Sequence, residues 1–186
     1  FDSDEVPPEL YDEEFRATVY HDALPLYLSD LGVADENARW SCLSWEMSSP
    51  FASQCGGWQD DVLAAVDDPE HPETARGNPA WIHYSVSDVY LTSWFDRCLS
   101  AELNYRQRAY VDGDPNPSPW AYRETDAAPW GAEQAWRLYD EEEKQWLDHW
   151  LIASGTRIVE FVSNDLEMTD ARMAVVGEKL LSADLK

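Results

Sequence analysis

Hydrophobic positions along this chain recur more often at helical spacing than in alternation. Leu10, Phe15, Val19 and Leu26 keep a loose helical rhythm that Pro25 interrupts. Asp22 is placed to cap a second short helix, with Pro25 tolerated in its first turn and Gly32 closing it. Asp35 can cap another, in which Ala38, Cys42 and Trp45 share a face until Ser48, Ser49 and Pro50 end it. Trp58 to Val66 reads as a short helix, and Ser87 caps a longer one that runs to about Tyr105. Glu133 to Ala153 carries the strongest helical pattern, with Ala135, Tyr139, Trp146, Trp150 and Ala153 inward and Gly155 as the stop. Asp170 to Leu181 forms the last helix, with Met173, Val176 and Leu180 on one side.

Two segments alternate instead. Trp81 to Val86 is rich in aromatic and β-branched residues, and Ile82, Tyr84 and Val86 fall on one face of a strand. Thr156 to Val162 reads as a second strand, and Asn164-Asp165 turns the chain after it. Proline-rich stretches at 67–79 and 112–129 read as loops over one core. The pattern predicts a mainly α (α+β) fold: about six helices around one core, with a small two-stranded sheet or hairpin-like pairing. Residues 1–186 are expected to form a single acidic helical domain.

Charge changes this picture most. The chain has 37 Asp and Glu against 13 Lys and Arg, a formal net charge of -24. A 21.3 kDa globule exposes roughly 9,000 Å², so the excess is about one negative charge per 380 Å². Colloidal stability needs a net charge of only about 2–8. Three causes could account for the remainder: a basic partner, a salt-adapted surface, or drift in a host whose proteins are acidic. Duplex DNA, RNA and anionic membranes are poor partners for such a surface, because they call for a cationic footprint. No stretch approaches 18 apolar residues, and the acidic run after Phe1 resembles neither a signal nor a transit peptide. Cys42, Cys55 and Cys98 match no zinc or CxxC spacing, and they read as buried reduced thiols in a cytoplasmic protein; a Cys42–Cys55 disulfide is the alternative.

Motifs for catalysis are weak. The chain lacks GxGxxG, GxxxxGK[ST] and HExxH, and no cofactor is expected. His83 has the chemistry of a general base, with Asp88 to orient it and Ser85 or Ser87 as nucleophile, but no GxSxG surrounds either serine. Asp67, Asp68 and His71, with Glu70 or Glu73, are the best metal-ligand set, although the EF-hand spacing is missing. Each of these has a plain structural alternative: a hydrogen-bonded histidine, and a solvated acidic loop.

Aromatic residues are the second unusual quantity, with 10 Trp and 9 Tyr. Trp58, Trp120, Tyr122 and Trp130 fall in segments that read as exposed, near Asp60, Asp61, Glu141 and Glu142. Aromatic anchors beside carboxylates suit a partner that brings Arg or Lys. The expected function is therefore a noncatalytic, immunity-like inhibitor or neutraliser of a basic protein, such as a toxin or a nucleic-acid-binding protein. The alternatives are a small hydrolase using His83 and Asp88 or a metal near Asp68 and His71, and a salt-adapted structural domain.

Overall fold

The computed structural model describes residues 25–33, 38–44, 59–66, 80–89, 92–105, 108–111, 114–117 and 119–183. For 38–44, 59–66, 105, 108–111 and 114–117 it describes the backbone alone. Strands dominate. They are β1 (Ala38–Ser44), β2 (Gln59–Val66), β3 (Trp81–Asp88), β4 (Arg108–Val111), β5 (Asp114–Pro117), β6 (Trp120–Glu124), β7 (Gln134–Asp140), β8 (Gln145–Ser154) and β9 (Arg157–Asn164). Helices α1 (Phe95–Tyr105) and α2 (Asp170–Leu181) are the α-helices among the described residues. Seven strands form one sheet in the order β1-β2-β3-β9-β8-β7-β6, and β4-β5 is a separate ribbon. Every pairing is antiparallel.

The mainly helical fold expected from the sequence is therefore wrong. Segment 133–153, read as the longest helix, is the β7–β8 hairpin. Its strand β8 is covered on both faces: Trp150 and Ile152 belong to one core, Leu151 and Ala153 to the other. A strand buried on both sides reads as a continuous apolar run and loses its alternation. The helix-forming run Glu141–Lys144 is its turn. Asp140 Oδ1 accepts the backbone N–H groups of Glu142 and Glu143, both at 2.9 Å. Lys144 completes the turn at φ 56°.

The expected helices at 35–47 and 58–66 coincide with β1 and β2. The separation of Ala38 and Cys42 explains the first error, since four residues is both a helical i+4 step and an even strand spacing. Part of the expected 112–129 loop is strand as well, with Pro115 and Pro117 in the two-stranded ribbon, where a missing N–H is tolerated at an edge. Segment 67–79 lies outside the described residues.

Other elements follow their sequence signals closely. Ile82, Tyr84 and Val86 of β3 are all fully buried in one core. Helix α2 has the expected bounds, and Thr169 Oγ1 accepts the Arg172 N–H at 3.4 Å as its N-cap. The expected turn at Asn164-Asp165 places Asp165 at φ 49°. Gly155 is not a helix stop: it sits at φ 60°, in the first central position of the two-residue turn between paired Ser154 and Arg157.

The first core packs α2 and the 3-10 turn Leu28–Leu31 on Ile82, Tyr84, Trp150, Val159 and Phe161. Tyr84 buries its hydroxyl there and donates it to the Leu26 carbonyl at 3.0 Å. Arg172 Nε donates to Leu31 O at 2.9 Å, and Lys179 pairs with Asp30 at 3.2 Å, so the turn is tied to α2. The second core lies on the other face, where Cys98 and Leu99 of α1 meet Leu151, Ala153 and Ile158. Cys98 is disulfide-bonded, in place of the expected free thiol.

Gly177 fixes how closely α2 approaches. A Cβ built there would lie 1.8 Å from the Trp130 carbonyl oxygen. Glycine to alanine in a helix interior is ordinarily favourable by about 1 kcal/mol. Here overpacking against backbone reverses the sign, and Gly177→Ala is expected to destabilise the domain by about 1–3 kcal/mol. A urea midpoint equal to or above wild type would show that the contact is not made in solution.

Candidate protein-binding face

The β7–β8 hairpin runs past the end of β9, because β8 pairs with β9 only from His149 onward. Its tip is supported by β6, with Trp120 opposite Asp140 and Ala121 opposite Tyr139. Directly opposed residues share a face, so Trp120, Tyr122 and Glu124 lie on the α1 side and Arg123, Tyr139 and Trp146 on the other. Both tip tryptophans are substantially exposed, Trp120 at 41% and Trp146 at 44%. The acidic turn Glu141–Lys144 joins the two faces.

Asp140 organises this end. Trp120 Nε1 donates to its Oδ2 at 3.0 Å, and the turn N–H groups use its Oδ1. The Glu143 N–H does most to hold its carboxyl below the usual carboxylate range; desolvation opposes this, while Trp120, the Glu142 N–H and Lys144 reinforce it. Arg123 donates to Glu141 Oε1 at 2.5 Å and lies 3.7 Å from the Tyr139 ring centroid. Tyr139 meets Trp146 edge-on with centroids 5.1 Å apart.

Inward from the tip, register shifts between the pairs Tyr139–Trp146 and Arg137–Trp150, so that Leu147, Asp148 and His149 stand opposite the single Leu138. Arg137 fills this bulge by donating to Leu147 O and Asp148 Oδ1, both at 2.8 Å, and lies 4.9 Å from the Trp150 ring centroid. On the α1 side, His149 Nε2 lies 2.9 Å from the Tyr122 hydroxyl and 3.5 Å from Glu160 Oε1. A neutral imidazole accepts the tyrosine O–H there, whereas a protonated one donates to the carboxylate. This chain of polar groups holds Tyr122 in place behind Trp120.

The residues singled out from sequence divide clearly. Trp120, Tyr122, Glu141 and Glu142 come together at the tip. Trp130 does not: it is 1% exposed and packs against Trp150 and Phe161, with ring centroids 5.5 and 6.0 Å away, so its expected surface role is replaced by a core role. Asp60 and Asp61 lie in β2, whose side chains are not described, and Trp58, Asp67, Asp68 and His71 fall outside the described residues. His83 and Asp88 are not brought together. They are five positions apart on β3, about 16 Å along a strand, and alternation puts them on opposite faces. Asp88 instead accepts from Thr156 Oγ1 at 2.7 Å and pairs with Arg157 at 3.4 Å. Trp146, Arg137 and His149 escape a sequence reading because the i+4 interval between Trp146 and Trp150 suggests a helix; Glu160 lies on the expected strand, and no sequence signal ties it to them.

No family model and no curated protein matches the chain. The extracellular domain of PknH from Mycobacterium tuberculosis is a similar solved structure, at 8% sequence identity and a TM-score of 0.48, over 82% of this chain and 88% of that one.

Because the Asp140 carboxyl titrates below its usual value, its charged form stabilises the fold fully above the ordinary carboxylate range. That contribution disappears as pH falls through the lowered value. Asp140→Asn keeps the side-chain oxygen but removes the charge. The gap in melting temperature between wild type and variant should be constant from about pH 5 to 7 and narrow below about pH 4. A gap that widens on acidification would contradict the assignment.

Proposed function

We propose that this domain binds a basic protein, or a basic segment of one, through the tip of the β6–β7–β8 sheet. It acts there as a noncatalytic inhibitor or neutraliser. The observation that carries this reading is the way the charges are used. Arg123, Arg137, Arg157, Arg172, Lys144 and Lys179 are each engaged within the molecule, by carboxylates, by backbone carbonyls or by both, with exposed Arg97 of α1 the exception among the cations whose side chains are described. Glu142 and Glu143 are exposed at the tip. Their field favours a cationic partner, and attraction of this kind raises association rates above those of a neutral pair. Trp120 and Trp146 supply aromatic surface for an arginine to stack on, with an expected gain of about 0.5–1 kcal/mol at an exposed site.

The Cys98 disulfide supports an oxidising compartment over the cytoplasmic setting read from the cysteine spacing. Segregation of His83 from Asp88 removes the support for a hydrolase built on that pair.

A nona-arginine peptide titrated into the domain at about 0.15 M salt tests the site, with intrinsic tryptophan fluorescence as readout. A chain of charge -24 attracts such a peptide everywhere, so paired variants are needed. Trp120→Ala combined with Glu142→Gln and Glu143→Gln should weaken binding at least tenfold, about 1.4 kcal/mol. Asp165→Asn with Glu167→Gln removes the same charge at another exposed place and should change it less than twofold. Equal losses in the two variants would mean diffuse attraction and no tip site.

A further inference from the structure

Cys98 of α1 is disulfide-bonded, and the chain offers it Cys42 or Cys55 as partner. The sheet register decides between them. Cys42 stands within β1 opposite Val62 of β2, Val62 is opposite Tyr84 of β3, and Tyr84 is opposite Phe161 of β9. Directly opposed residues share a face, so this row lies on the face whose core holds Tyr84, Phe161 and the buried residues of α2. Cys98 belongs to the other face, packed with Val89, Leu151, Ala153 and Ile158. Strand β1 is also three strands from β9, about 14 Å across the sheet. A disulfide requires Cα atoms within about 7 Å, which Cys42 does not meet from its place in the ladder. Cys98 is 3% exposed, and burial of this degree bars a bond to a second copy of the chain.

The same register brings the start of β2 to the end of the sheet where Cys98 packs. Gln59 is opposite Ser87, and Ser87 is opposite Ile158. Cys55 precedes Gln59 by four residues. A chain of that length reaches up to about 14 Å, and a disulfide adds about 5.5 Å between Cα atoms. The distance to cover is about 10 Å across two strands and about 10 Å up to a packed layer, or about 14 Å in all. We propose that the bond is Cys55–Cys98, which fastens the connection between β1 and β2 to the helix over the second core and leaves Cys42 as the one thiol. Its formation joins two thiols in an S–S bond and passes two protons and two electrons to a disulfide oxidant, such as oxidised glutathione. The bond shares no residue with the hairpin tip and does not depend on the role proposed for it.

The test is a peptide map of the intact domain after oxidation in a glutathione redox buffer. The protein is unfolded in the presence of N-ethylmaleimide and digested without reductant. Trypsin together with a glutamate-specific protease cuts after Glu46 and so separates Cys42 from Cys55. Peptide 47–70 joined to peptide 98–102, with the maleimide on Cys42 in peptide 40–46, is the expected result. A bond from peptide 40–46 to either other cysteine, a covalent dimer, or maleimide on Cys98 overturns the proposal. Labelled thiols should number one per chain in wild type, none in Cys42→Ser and two in Cys55→Ser. Cys55→Ser and Cys98→Ser should each lower the melting temperature by about 5 °C or more, and the double variant no further than the worse of the two. Additive losses would show that the two sulfurs are not joined.

Discussion

Strand β8 must be covered on both faces, and the rest of the domain is arranged to do so. Trp150 and Ile152 call for one apolar layer, Leu151 and Ala153 for another. Burying a side chain the size of Leu151 or Ile152 contributes about 1.5–3 kcal/mol on removal from water, so neither face can be left open. The α2 helix and the Leu28–Leu31 turn cover the first face, and α1 contributes to the second. Beyond the reach of β9 the same hairpin loses this double cover, and its aromatic residues reach the surface. The exposed tip is thus the unburied end of the element that organises the core.

Charge follows the same division between inside and outside. Three arginines serve as connectors: Arg172 joins α2 to the Leu31 carbonyl, Arg157 joins the Leu180 and Ala183 carbonyls to Asp88, and Arg137 fills the β8 bulge. Carboxylates such as Glu142, Glu143, Glu167 and Glu178 are left facing solvent. A surface of one sign repels itself and favours association with the opposite sign, which connects the fold to the proposed role.

Legibility in the sequence depended on how many faces of an element are buried. Helix α2 was readable because it is capped by Thr169 and buries one stripe, through Val176 and Leu180. Strand β3 was readable because Ile82, Tyr84 and Val86 alternate with less buried neighbours such as Trp81 and His83. The β7–β8 hairpin was not. Its strand β8 has no polar face over His149–Ala153, and its turn is made of Glu and Lys, which prefer helices until Asp140 and tertiary packing override them. The mistake hid half of the candidate site: Trp120, Tyr122, Glu141 and Glu142 were named from composition, whereas Trp146 and Arg137 were assigned to a helix that does not exist. Trp130 was misplaced for the opposite reason, since its proline-rich surroundings read as surface while the 3-10 turn folds it into the core.

The central claim is that the hairpin tip, and not the acidic surface at large, receives a basic partner. Hydrogen–deuterium exchange on the domain, with and without a saturating arginine-rich peptide at about 0.15 M salt, addresses it most directly. Protection concentrated at residues 119–124 and 139–147, with the backbone of α2 unchanged, is the result this account predicts. Slowing spread evenly over exposed segments, or confined to regions away from β6 and the β7–β8 turn, would contradict it.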